Sequence, residues 1–332
     1  MHTQRPALLV ADLGGTNARL GIAQRTEQHG AIAVTAIEVF RCADFAGPEA
    51  LFRSYLQRQA HAHPAGTSTP LRHASIAIAG PLRGNSGHFT NSNWAIDGDR
   101  LAETLGFARV RVLNDFTALA SGVPLLTSAE LHSIRSRGDA LGDSSNWPRS
   151  VMGAGTGFGC ALLVPDGPRW QLVATECGHA SFAPTTAQEL SVWNYLGGGT
   201  RHVSVEEVLS GSGLVAIHNA LGGAELRADT ISQRALAGSD PLCSEAIAVF
   251  CGALGNIAGN IALTQGARGG IYLGGGILPK IESLFEHSNF LARFNAKGVM
   301  SDYVETIPIA LIRSEYTALT GAAAWFWQNE PQ

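Results

Sequence analysis

Two glycine-rich turns carry the residue types that hold phosphate. Asp12-Leu13-Gly14-Gly15-Thr16-Asn17 follows the apolar run 7–11 (ALLVA), and 19–23 (RLGIA) resumes as a strand. Successive backbone N–H groups in such a turn form an anion-binding concavity. Glycines there permit positive φ and let a phosphate approach the backbone. Asp12, at the strand end, is an oxygen ligand of the kind Mg²⁺ takes, here through water. An ordinary hairpin with a solvated carboxylate would use the same residues. The second turn, 153–159 (GAGTGFG), has four glycines in seven positions and the Thr156 hydroxyl. A dinucleotide-binding GxGxxG should open a helix, whereas CALLV continues as a strand. That favours a phosphate-binding hairpin.

Four further places offer acid, base or polar-ligand chemistry. Asn114-Asp115 follows the buried run 110–113 and precedes a helical pattern at 116–121. Ligands of open α/β sheets bind beyond the carboxyl ends of strands, so Asp115 is placed to act as a general base. A helix N-cap would also put an Asp there. Glu176-Cys177-Gly178-His179 sets a carboxylate and an imidazole three residues apart, as polar-ligand groups or as a simple turn. Glu206 is one of two adjacent acids near a helix start, where it would also complement the helix dipole. Gly274-Gly275-Gly276 after a strand suits close approach of a flat ligand, or a plain turn.

The elements that must position these groups alternate between strands and helices, which is the α/β class. Strands are expected at 7–11, 19–23, 31–40, 74–79, 110–113, 150–152, 160–164, 270–273 and 307–312. Helices are expected at 49–61, 99–105, 116–121, 244–264 and 318–328, with Ser204 and Glu207 as a capping box. Residues 136–149, rich in Gly, Ser, Asp and Arg, read as an exposed loop. VADLGGTNARLGIA and VMGAGTGFGCALLV share a strand, Gly turn, strand pattern, which hints at two related halves.

Composition narrows the classes. The 332 residues suggest about two domains at ~150 residues each. Hydrophobic residues make up 45% and the net charge is −4, so neither disorder nor a nucleic-acid partner is expected. Lys280 and Lys297 are the only lysines, and neither sits in a GxxxxGK[ST] or VAIK context. Walker-type NTPases and protein kinases are thereby excluded. The five cysteines form no CxxC pair, so no disulfide framework and no zinc site are expected, and a reducing cytoplasm fits. The first residues carry no signal-peptide pattern, and no run of ~18 apolar residues suggests a membrane span.

Taken together, LLVADLGGTNARLGIA, TNSNWAI, VRVLNDFTALASGVP, MGAGTGFGCALL, ECGHASFAP, HVSVEEVLSGSGL, GGIYLGGGILPKI and LTGAAAW resemble the bacterial glucokinases of the hexokinase-like, actin-fold ATPase superfamily. The stretches span nearly the whole chain in order. The resemblance implies a two-domain actin-like (ribonuclease H-like) α/β fold with a cleft. Residues 1–123, completed by the C-terminal helix 314–332, would form the smaller domain, and 124–313 the larger. It implies ATP-dependent phosphorylation of D-glucose at the 6-hydroxyl, feeding glycolysis. Asp115 is similar to the family's catalytic base. Asn114, Asp115, Glu176, His179 and Glu206 look like its glucose ligands. Asp12, Gly14, Gly15, Thr16, Asn17, Gly155, Thr156, Gly275 and Gly276 would surround ATP, with Asp12 near Mg²⁺. D-glucose and ATP are the partners implied, without nucleic acid or membrane; a homodimer is compatible. Cys177 stands where the family commonly has Gly, and Ala180-Ser181 where Val-Asp is common. The CxCGxxGC zinc motif of related sugar kinases and repressors is absent. A catalytically weak sugar sensor of the same fold, or a kinase for another hexose, are the alternative readings.

Overall fold

Residues 7–26, 31–62, 71–89, 93–136 and 146–330 are described by the structure, a computed structural model. The chain divides into two units, Met1–Leu126 with Ser314–Gln332, and Thr127–Arg313. Residues 90–92 of TNSNWAI, and 137–145 of the expected loop, lie outside the described residues.

In the first unit, β1 (Leu8–Leu13), β2 (Asn17–Arg25) and β3 (Ile32–Arg41) lead to α1 (Pro48–Ala62) and β4 (His73–Ile78). The short strands β5 (Leu82–Arg83), β6 (Ser86–His88) and β7 (Ala95–Asp97) follow, then α2 (Gly98–Leu105), β8 (Arg109–Asn114) and α3 (Asp115–Gly122). The main sheet has the order β3-β2-β1-β4-β8. Alternate residues of β1 feed two cores, as the strand period of two requires. Leu9, Ala11 and Leu13 pack with Leu51, Phe52 and Tyr55 of α1, while Leu8 and Val10 pack on the opposite face. The Asp97 carboxylate caps α2, which ends where Gly106 turns left-handed at φ 75°.

The second unit contains β9 (Leu131–Arg135), β10 (Arg149–Ala154), β11 (Phe158–Asp166) and β12 (Arg169–Thr175). Four helices follow: α4 (Ala187–Tyr195), α5 (Gly211–Ala220), α6 (Ala228–Leu236) and α7 (Pro241–Gln265). After β13 (Gly270–Gly274) come α8 (Glu282–Glu286), α9 (Phe290–Asn295), α10 (Ser301–Glu305) and β14 (Ile309–Ile312). The chain then returns to the first unit with α11 (Thr317–Asn329), whose Leu319, Ala322, Ala323 and Phe326 cover Leu8 and Val10.

The hint of related halves is a property of the fold. The second sheet runs β12-β11-β10-β13-β14-β9. In both sheets the first strand pairs antiparallel with the next and parallel with a later one. Two readings needed correction. The β5–β7 strands, β9 and β12 were not anticipated. They are two to seven residues long, and the longest apolar run among them is Leu172-Val173-Ala174 of β12. Ser204 and Glu207 do exchange capping-box bonds, but they close a turn rather than start a helix. Val203 and Val205 instead bond in extended form to Phe182 and Ala180, and α5 begins later, capped by Ser210. Finally, α7 is long and apolar enough to cross a membrane, yet 78% of its most apolar window is buried in the protein, as in a core helix.

Candidate functional site

In the first unit, the parallel register aligns Leu13 with Ile78 and Ile78 with Asn114, so β1, β4 and β8 end together. Asn114 is the α3 cap: its Oδ1 accepts from the N–H of Phe116 at 2.9 Å and of Thr117 at 3.3 Å. Its NH₂ donates to the Asp115 carboxylate, and the cap role of Asn114 removes capping as the explanation for Asp115. Asp115 is the first residue of α3 and accepts a 2.9 Å bond from the Phe116 N–H. Burial, and then the negative charge of Asp12, push its carboxyl pKa up to about 7.

Asp12 lies opposite Arg19 across the β1–β2 hairpin, with Nη1 3.6 Å from its carboxylate. Burial raises the Asp12 pKa and Arg19 opposes the shift. Sequence reasoning passed over Arg19; its partnership follows from hairpin register, which turn composition alone does not give. The turn is closed by Gly14 N–H to Asn17 C=O at 3.0 Å and anchored by Cys42 N–H to Thr16 C=O at 2.9 Å. Neither Gly14 nor Gly15 adopts positive φ, so what they contribute is an uncovered backbone.

In the second unit, Gly155 N–H closes the β10–β11 turn on Gly157 C=O at 2.8 Å. A Cβ on Gly157 would overlap the Glu206 carboxylate, which accepts a 2.8 Å bond from the Phe158 N–H. Glu206 therefore supports this turn from beneath. Gly275, at φ 87°, packs against the Ala154 carbonyl where a Cβ would clash. This brings Gly275-Gly276 beside Gly155-Thr156. The start of α5 joins them, Gly211 N–H donating to Gly155 C=O at 2.9 Å.

Glu176 precedes and His179 ends the turn Cys177–His179 after β12, with His179 Nε2 4.0 Å from Glu176 Oε2. Glu206 N–H donates to Gly178 C=O at 2.8 Å, which ties this turn to Glu206. The Glu176 and His179 side chains are 81% and 64% exposed, so their polar atoms are open to a ligand. Cys177 packs instead against the core beside Cys160; that neighbour and burial raise its thiol pKa. The departure from Gly is thereby accommodated inward. A cavity of about 1040 Å³ lies in the first unit against α1, α2 and β5–β7, and none of the candidate residues lines it.

The sequence model of the glucokinase family matches residues 9–329. A glucokinase of Chromobacterium violaceum is 40% identical over 325 residues, covering 95% of this chain and 88% of that protein. A crystal structure of glucokinase from an Antarctic psychrotroph superimposes with a TM-score of 0.82 at 34% identity, covering 98% of this chain and all of that one. The glucose complex of Balamuthia mandrillaris glucokinase has a TM-score of 0.77 at 19% identity over 99% of this chain and 95% of that one, a likeness of fold. The fold is the two-domain actin-like arrangement of these sugar kinases. With a family match over nearly its whole length and such identity to curated members, the chain belongs to the glucokinase family.

Proposed function

We propose that the protein transfers the γ-phosphoryl group of ATP to the 6-hydroxyl of D-glucose, giving glucose 6-phosphate and ADP. The carrying observation is the Asp115 carboxyl, set at the carboxyl end of β8 and poised near pH 7 by burial and Asp12. A base with a pKa near the working pH combines adequate basicity with an adequate ionised fraction. As the 6-oxygen attacks the γ-phosphorus, Asp115 accepts the hydroxyl proton. The O6–P bond forms, the bond to the β,γ-bridging oxygen breaks, and ADP leaves. Asn114, Glu176, His179 and Glu206 are the ring-hydroxyl ligands in this reading, supplying donors and acceptors together. The uncovered backbone at Gly14, Gly15, Gly155, Gly275 and Gly276, with Thr16, Asn17 and Thr156, forms the nucleotide ligand set.

Mg²⁺ fits this donor set. Asp12 is an all-oxygen ligand whose carboxylate is costly to ionise in its buried setting, and a hard dication offsets that cost. When bound, Mg²⁺ neutralises phosphate charge; Asp12 would hold it, through water. Removal of divalent ions should abolish turnover, and Mg²⁺ alone should restore it. Turnover that persists in excess chelator would remove Asp12 from this role.

A coupled assay of glucose 6-phosphate formation tests the reaction. A sugar sensor of the same fold would bind glucose with negligible turnover. Sites that hydrogen-bond several hydroxyls leave groups unpaired against an epimer, a penalty that can reach ~10⁴-fold. Glucose should accordingly exceed galactose and mannose in kcat/KM by at least ~10-fold. Equal efficiency for glucose and galactose would show that these four residues do not read the ring.

A further inference from the structure

We propose that His218, Asp240 and Cys243 form a zinc site that clamps α5 to the start of α7. Asp240 and Cys243 stand three residues apart at the start of one helix, but His218 comes from another, so sequence spacing does not bring the three together. His218 lies in the last turn of α5, Asp240 is the N-cap of α7, and Cys243 is in its first turn. One potential ligand atom from each lies within 4.8 Å of the other two.

Three observations set this cluster apart from a chance grouping. His218 is 2% exposed and Cys243 is fully buried. His218 Nδ1 is buried with no hydrogen-bond partner, although buried polar atoms are nearly always paired. Gly223 folds back over the imidazole, donating its N–H to His218 C=O at 3.0 Å, and a Cβ there would overlap the ring. The imidazole is thus held in place with an unused nitrogen.

The ligand chemistry selects the ion. An imidazole nitrogen, a thiolate and a carboxylate oxygen form a borderline-soft set, suited to Zn²⁺ and poorly suited to Mg²⁺. Tetrahedral Zn²⁺, with bonds of ~2.0–2.3 Å, holds its ligand atoms about 3.5 Å apart, so small side-chain rotations close the cluster. Water takes the fourth position. Binding converts the Cys243 thiol to thiolate as the S–Zn bond forms, and the proton passes to solvent. Asp240 can serve both helix and metal. Its Oδ1 accepts from the N–H groups of Leu242 at 3.0 Å and Cys243 at 3.3 Å, Arg234 lies 3.5 Å from Oδ2, and the Cys243 thiol donates to the carboxylate, a proton that the metal would replace. The metal would displace that loose ion pair.

The test uses the purified full chain and Co²⁺, whose thiolate complexes absorb in the near ultraviolet. One equivalent should produce a thiolate-to-cobalt band, Zn²⁺ should bleach it, and Zn²⁺ should raise the melting temperature. Cys243→Ser should abolish the band. Asp240→Asn keeps an equally good helix cap, and should weaken Co²⁺ binding by more than ~10-fold, since even outer-shell partners are worth that much. No band in the wild type would overturn the site, as would a band that survives in Cys243→Ser. These readouts are independent of sugar phosphorylation, so they stand or fall apart from the kinase reading.

Discussion

Asp115→Asn should lower kcat by ~10²–10⁴-fold, the usual cost of removing a general base, while glucose affinity stays near the wild-type value. The amide keeps the shape of the carboxylate and can still accept the Phe116 N–H, but it cannot take the proton of the 6-hydroxyl. The pH profile gives an independent check. Burial and Asp12 hold the carboxyl protonated up to about pH 7, so wild-type kcat/KM should rise about tenfold per unit below that value and level off above it. The residual activity of Asp115→Asn should lack this limb. The sign for stability is the reverse. A carboxyl whose folded pKa is raised favours the folded state only while protonated, so its contribution declines between pH ~4 and ~7. Above pH 7 the variant should be at least as stable as the wild type, which separates lost chemistry from lost folding. Near-wild-type turnover in a folded Asp115→Asn enzyme would mean that another group takes the proton.

The second large effect concerns the scaffold of the second unit. Glu189 on α4 is only 2% exposed, and Arg293 on α9 donates to its Oε1 at 2.7 Å. Its Oε2 accepts from the N–H and hydroxyl of Thr185 at 2.7 and 2.9 Å. Arg293→Met would leave this buried carboxylate without its cation. Breaking a buried pair from one side costs ~3–5 kcal/mol, because the remaining charge stays desolvated. For a unit of this size that is a fall in melting temperature of roughly 10 °C. Arg227→Met is the control. Its partner Asp229 is solvent-exposed and the pair lies 3.2 Å apart at the surface, where screening leaves little to lose. Equal melting temperatures for the two variants would show that α4 and α9 are held by apolar packing alone.

Much of the fold was legible because its signals are local. The β1–β2 and β10–β11 hairpins show as short apolar strands around glycine turns, and α2 shows as a short helix stopped by Gly106. The α/β class followed from strand and helix alternation. The elements that escaped notice were those whose conformation neighbours impose. Edge strand β12 is half exposed with only a three-residue apolar run, and 203–206 extends because it bonds to 178–182. The Ser204 capping box shows the limit most clearly: its local bonds form, yet the helix they usually announce does not.

The candidate residues divide in the same way. Sequence by itself identified the family resemblance, the glycine turns and the acid that follows β8, since residue type and chain position suffice for these. Only tertiary structure could show that Asn114 takes the capping role, that Asp12 and burial bring the Asp115 pKa to about 7, and that Glu206 sits under Gly157. Only it could bring His218 to Asp240 and Cys243. Turn and helix propensities act over a few residues along the chain. Desolvation, charge coupling and steric exclusion act through space, between atoms whose separation is set by the packing of the whole unit.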